Sequence, residues 1–233
     1  MIIAIHQPQY LPWLGYFDKI DKSDKFVLLD DVQFKKNEWQ NRNRIKTAGS
    51  GGWQWITVPV IHRFGQKINE VKINNQENWC KKHLHQLETN YFKSPHFPQY
   101  YDFLKETYAR KWENLSEVNI YFIEYLTKTI GIKKQLVKSS DLKVSGEKTD
   151  RLVNICKMLN ANIYLSGVGA KEYIEIEKFE KEKIKVIFQD FHHPVYKQLY
   201  GEFIPNLSVV DLLFNCGDES LKILRGNTEH LCT

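Results

Sequence analysis

The sequence predicts an α/β domain of three layers around a mostly parallel sheet, with a helical insertion. Three observations carry that expectation. An apolar run of five residues ends abruptly at His6, as a short buried strand does. A second apolar run, Phe26-Val-Leu-Leu, ends in Asp30 and Asp31. Between them Trp13–Asp21 has helical spacing, with apolar Leu14, Phe17 and Ile20. Strand, loop, helix and strand thus fit within the first 31 residues, a βαβ unit that is normally parallel and right-handed.

Pro8 and Pro12 explain why the chain leaves the first strand as a rigid loop. Residues 33–45 are polar and amide-rich, broken by single aromatics. Gly49–Gly52 reads as a turn, and Trp53–Val60 as an alternating strand with Pro59 near its end. Ile68–Ile73 reads as its partner or extension. The period then becomes helical, with helices over Asn78–Asn90, Phe97–Trp112 and Val118–Ile130. The α/β pattern returns with strands at Gln135–Ser139, Asn162–Ser166 and Ile184–Phe188, and a helix at Lys148–Leu159. Val209–Phe214 and Glu219–Leu224 read as closing helices, and Arg225–Thr233 as a frayed tail without signal. No flexible linker divides the chain. One domain over 1–233 is expected, with the helical block at about 76–131 as an insertion or lid.

Composition narrows the class. The 233 residues are 42% hydrophobic and 13% aromatic, enough for a sizeable core and for an aromatic-lined pocket. The net charge of +5 suits an anionic small molecule, while no long basic run or reader motif points to dedicated nucleic-acid binding. No stretch approaches the roughly 20 apolar residues that span a bilayer, and Ile2–Ile5 is too short for a secretory signal. A cytoplasmic location is expected. The cysteines at 80, 156, 216 and 232 lack metal-ligand spacing, and His83 and His85, two apart on a helix, face different ways. No metal site is expected, and the oligomeric state is not legible.

Candidate functional residues cluster at the predicted strand ends. His6 closes the first strand, where open α/β sheets bind ligands, and its imidazole suits acid–base work near neutral pH. Gln7 follows it; Tyr10, Trp13 and Tyr16 are candidates for stacking on a sugar or base. Of the two acids that close the second strand, Asp31 is the one expected to orient His6 or to meet substrate. Asn41, Arg42, Asn43 and Arg44 form an anion-binding candidate: in an extended chain both arginines share one face and both asparagines the other. Ser166, Gly167 and Gly169 follow a strand and open a turn whose N–H groups suit an anion. His193, held extended by Pro194, is a further candidate to reach the pocket.

The phrases His6-Gln-Pro-x-Tyr10-x-Pro12-Trp13-x-Gly15-Tyr16-Phe17, Asp31-Val-Gln-Phe34, Asn41-Arg42-Asn43-Arg44-Ile45, Leu165-Ser-Gly-Val-Gly169-Ala170 and Pro205-x-Leu-Ser208-x-x-Asp211-Leu-Leu-Phe214-Asn215 together resemble the WbqC-like family. That resemblance implies a bacterial protein of surface-polysaccharide, often O-antigen or lipopolysaccharide, synthesis. It implies glycyl or aminoacyl transfer to an amino sugar. The expected partners are a nucleotide sugar and an acyl donor or carrier protein. The strand-end histidine also resembles, in topology alone, the start of nucleotidyl-transferring α/β enzymes. ATP and Mg²⁺ would be needed if an adenylate forms or a nucleotidyl group moves. A noncatalytic glycan- or nucleotide-sugar-binding protein is the third expectation. Common to all is a pocket in which His6, Tyr10, Asp31, Arg42 and Arg44 converge.

Overall fold

A computed structural model describes residues 1–226. β1 (Ile2–His6), α1 (Leu14–Asp21) and β2 (Lys25–Leu28) form the predicted unit. Two short antiparallel pairs follow: β3 (Arg42–Lys46) with β4 (Trp53–Thr57), then β5 (Val60–Ile61) with β6 (Lys72–Ile73). The helical block is α2 (Trp79–Tyr91), α3 (Phe97–Ala109) and α4 (Leu115–Ile130). The chain returns to the sheet through β7 (Gln135–Lys138), α5 (Ser139–Leu142), α6 (Lys148–Met158), β8 (Ile163–Ser166), α7 (Ile176–Lys181) and β9 (Lys185–Phe188). α8 (Val209–Cys216) and α9 (Ser220–Leu224) close the described chain.

The central sheet has the order β7-β2-β1-β8-β9, and every neighbouring pair is parallel. Its central strand is apolar on both sides, as strands covered on both faces must be. Ala4 of β1 and Phe26 and Leu28 of β2 face one core, with α1, α4 and α8. Ile3, Ile5 and Val27, one residue out of step, face a second core with α6 and α7. Each fully buried aliphatic side chain contributes about 1.5–3 kcal/mol. Three layers result, as expected.

Several details differ from expectation. The strand predicted over Trp53–Val60 stops at Thr57, because Pro59 has no N–H for the ladder, and only Val60–Ile61 continues in a new pair. Ile68–Glu70 is a 3-10 turn rather than strand; the Ile68 and Asn69 N–H groups bond Val32 O and Asp30 O. Helices α5 and α7, of four and six residues, were not expected at all. Arg225 is anchored rather than frayed, since its guanidinium forms two bonds of 2.8 and 2.9 Å to Asp21. Residues 227–233 of that tail, with Cys232, lie outside the described residues.

Candidate active-site cleft

The switch in strand order falls between β1 and β8: the chain moves from β1 outward to β2 and β7 on one side, and from β8 to β9 on the other. Loops diverge at such a point and leave a crevice over the carboxyl ends. A cleft of about 260 Å³ lies there. Its walls are His6 from the tip of β1; Trp13, Gly15, Tyr16 and Lys19 from the start and inner face of α1; Gly167, Val168 and Gly169 from the turn after β8; and Gln189 and Phe191 beyond β9.

Gly15, Tyr16 and Lys19 share a helix face because they are three and four residues apart. Leu14, Phe17 and Ile20 take the apolar side, and Lys19 turns toward the loop after β8. It is only 3% exposed. Its Nζ lies beside Gly167, where even a methyl group would sit 3.5 Å away. Among the described residues no hydrogen-bond acceptor or carboxylate meets Nζ. Burial pushes the Lys19 pKa from 10.5 down to about 7. A buried, unpaired ammonium is costly in the free protein, which is why the proton is held less tightly than in water.

His6 is the neighbouring group. Its ring packs edge-on to Tyr16 with centroids 5.1 Å apart. Nδ1 lies 3.3 Å from Gln7 O, which assigns the proton to Nδ1 and leaves Nε2 as a base. Desolvation, and next the positive charge of Lys19, hold the His6 pKa well below its usual value, so the imidazole is neutral at pH 7.

The cleft wall is shaped by Gly15. A Cβ there would stand 2.2 Å from the Trp13 ring, so the indole lies flat on the helix start only because residue 15 is glycine. Phe191 meets Trp13 edge-on at 5.5 Å. Gln189 Nε2 donates to Gly15 O at 2.7 Å and to Asp18 Oδ2 at 2.6 Å, clamping α1 against the loop that follows β9.

The expected convergence with Asp31, Tyr10 and the arginines does not occur. None of these four lines the cleft. Asp31 turns toward α6, where it pairs with Arg151 and the Ser139 hydroxyl, so it does not orient His6. Tyr10 is 0% exposed; its hydroxyl lies 2.9 Å from His83 Nδ1 and 2.6 Å from Tyr108 Oη, so it is a core group rather than a stacking platform. Gln7 is engaged through Oε1, which accepts from Gln40 Nε2 at 2.8 Å. Asn41 and Asn43 are buried and brace the backbone: Asn41 Nδ2 donates to Val58 O at 3.1 Å, and Asn43 Nδ2 to Leu11 O at 2.7 Å. Both are committed to loops and not to sugar hydroxyls. Arg42 and Arg44 do share a face of β3, but it is the face stacked against Trp39, Trp53 and Trp55.

Trp13, Gly167 and Gly169 do line the cleft, while Ser166 is buried beneath it. His193 stacks against Tyr196 and lies 5.9 Å from Phe191, one ring removed from the cleft wall. Burial lowers its pKa. Lys19, Gln189 and Phe191 were missed by the sequence reading. The one local signal for Lys19 is its spacing from Gly15 and Tyr16 on the helix that joins β1 to β2. Among the described residues no group of three or more His, Cys, Asp or Glu comes together to hold a metal ion, and no helix is long and apolar enough to cross a membrane.

A doubly wound parallel sheet with a cleft at its switch point defines the class: an α/β protein whose cleft is lined by a neutral histidine and a buried lysine. The family model for the WbqC-like proteins matches residues 7–223, and the chain belongs to that family. An uncharacterized protein of Mycobacterium tuberculosis strain H37Rv is 42% identical over 227 residues, covering 96% of this chain and 97% of that protein. No solved structure matches the chain.

Proposed function

We propose that this protein is a transferase that seats the phosphates of a nucleotide-linked amino sugar in the switch-point cleft and moves an acyl or aminoacyl group onto the sugar's amine, in bacterial surface-polysaccharide synthesis. The observation that carries this reading is the buried Lys19 amino group, without a partner, beside a neutral His6. Lys19 and the N–H groups of the Gly167–Gly169 turn hold negative charge on the substrate. His6 Nε2 takes the proton that the attacking amine must lose, a role open only to the uncharged imidazole. Trp13 and Phe191 supply apolar walls for the sugar or base. In this proposal Lys19, rather than Arg42 and Arg44, meets the substrate anion, because Lys19 lines the cleft.

The acyl donor is a carrier thioester, an adenylate or an aminoacyl-tRNA, and as the amide bond forms the acyl C–S or C–O bond breaks and the carrier thiol, AMP or tRNA leaves. A cytoplasmic location follows from the nucleotide-sugar substrate, and a single domain with the helical block as a lid remains part of the proposal. A nucleotidyl transferase is the second reading, favoured by the position of the cleft where nucleotide phosphates bind in doubly wound sheets. Against it, the cleft lining contains no carboxylate, so Mg²⁺ there would be held through substrate phosphates alone.

The test pairs a panel of UDP- and dTDP-linked amino sugars with acyl-thioester and aminoacyl donors, followed by mass spectrometry. Acylated sugar that disappears in His6→Ala supports the proposal. Pyrophosphate released from a nucleoside triphosphate without any acyl donor would replace it with the second reading.

A further inference from the structure

A second set of unused charges lies on the β3–β4 hairpin. The pairing register sets Arg44 directly across from Trp55, with Arg42 and Trp53 at the diagonals. Arg42 Cζ stands 4.1 Å above the Trp55 ring, and Arg44 Cζ stands 5.1 Å from Trp53 and 5.8 Å from Trp39. The hairpin's other face, with Asn43, Ile45 and Ile56, is fully buried in the core. Three tryptophans and two guanidinium groups are therefore gathered on the outward face of a strand pair that is fixed from behind.

These guanidinium groups lack acidic partners. Among the described residues no carboxylate pairs with either. Both Nε atoms are shielded from water and meet no acceptor. Arg44 has one protein bond, from Nη2 to Asn206 O at 3.2 Å, and Arg42 has only its stacking contact. Stacking fixes a guanidinium plane without using its N–H groups, and a pre-placed planar fork matches a carboxylate bidentately. Trp39, 37% exposed, offers the outermost ring.

We propose that the Trp39–Trp53–Trp55 face with Arg42 and Arg44 is a binding site for an acidic saccharide, its carboxylates held by the guanidinium groups and its sugar rings laid on the indoles. The ring geometry favours a saccharide over single-stranded nucleic acid. Trp39 and Trp55 are tilted by 46° and Trp53 and Trp55 by 89°, so neither pair makes the parallel slot that would sandwich a flat base. The site is distinct from the cleft, whose lining contains none of these five residues. It is independent of the reaction assigned there.

The test uses the full chain and tetragalacturonate as probe, with cellotetraose as the uncharged control and oligothymidylate as the nucleic-acid control. Binding is followed by calorimetry, and by the indole N–H resonances of Trp39, Trp53 and Trp55 in the wild-type protein. The expected result is that these three resonances move with tetragalacturonate. Affinity should fall at least tenfold in Arg42→Gln and Arg44→Gln and for cellotetraose, and stay unchanged in Lys19→Met. Absence of binding at millimolar probe overturns the proposal. So do shifts confined to cleft residues, loss of binding in Lys19→Met, or tighter binding of oligothymidylate at the same tryptophans. The wild-type resonances decide the matter even if an arginine variant fails to fold.

Discussion

Replacing Lys19 by methionine should make the protein more stable and its cleft useless. Methionine keeps the length of the stem and removes the charge. Burial lowers the Lys19 pKa from 10.5 to about 7. Each pH unit of such a displacement is worth about 1.4 kcal/mol, so holding this ammonium out of water costs the free protein roughly 4 kcal/mol at pH 7. Imperfect packing of the thioether and relaxation around the site reduce the gain, and a net stabilisation of about 2–4 kcal/mol is expected. For a chain of this size that is a rise in Tm of roughly 4–16 °C. The pH dependence supplies a second check. Lys19 is protonated in the unfolded chain up to its ordinary pKa but releases its proton near pH 7 when folded. The unfolded state therefore binds more protons between about 7 and 10.5, and wild-type stability rises with pH across that window. The Lys19→Met advantage should be full below pH 7 and shrink steadily toward pH 10. Urea unfolding at pH 6.5, 8 and 9.5 measures both effects. A Lys19→Met protein less stable than wild type, or an advantage that does not change with pH, would refute the argument that the ammonium is buried and unpaired.

Gly15→Ala should cost about 1–3 kcal/mol and weaken ligand binding, because the added methyl group displaces the Trp13 ring; thermal unfolding and ligand-induced tryptophan fluorescence follow the two effects. Tyr10→Phe should cost about 1–2 kcal/mol in urea unfolding by stripping the shared hydroxyl from His83 and Tyr108, while leaving affinity in the cleft unchanged. Asp211 is buried with its pKa pushed up to about 6, despite bonds from the Tyr91 and Tyr196 hydroxyls. The folded state holds this proton between about pH 4 and 6 where the unfolded state has lost it, so the contribution of Asp211 to stability falls as pH rises through that window; comparison with Asp211→Asn at pH 4 and 7 should show wild type relatively better at pH 4.

Sequence pattern revealed the frame well and the cleft only in part. β1, α1 and β2 are close in the chain, and their apolar periods and bounding prolines are local signals, so both the unit and the placement of His6 at a strand tip could be read directly. Lys19 could not be ranked the same way. A lysine on an amphipathic helix usually meets water, and what buries this one is the turn at Gly167, far along the chain. The shared face of Arg42 and Arg44 followed from strand alternation. Which way that face points depended on the register with Trp53 and Trp55, which no local pattern fixes. The pairing of Asp31 is not legible locally, because its partner, Arg151, lies on a helix 120 residues later. Helices α5 and α7 are too short to show a helical period.

The proposed function requires that an anion seat itself against Lys19. Calorimetric titration of UDP at pH 7.5, repeated in two buffers of different ionisation enthalpy, counts the protons gained on binding. A group with a pKa of about 7 is mostly uncharged at that pH, so seating the diphosphate against it should draw about 0.8 proton per ligand into the wild-type protein and none into Lys19→Met, whose affinity should fall at least tenfold. UDP that binds both proteins equally without proton uptake, or that binds neither, would contradict it.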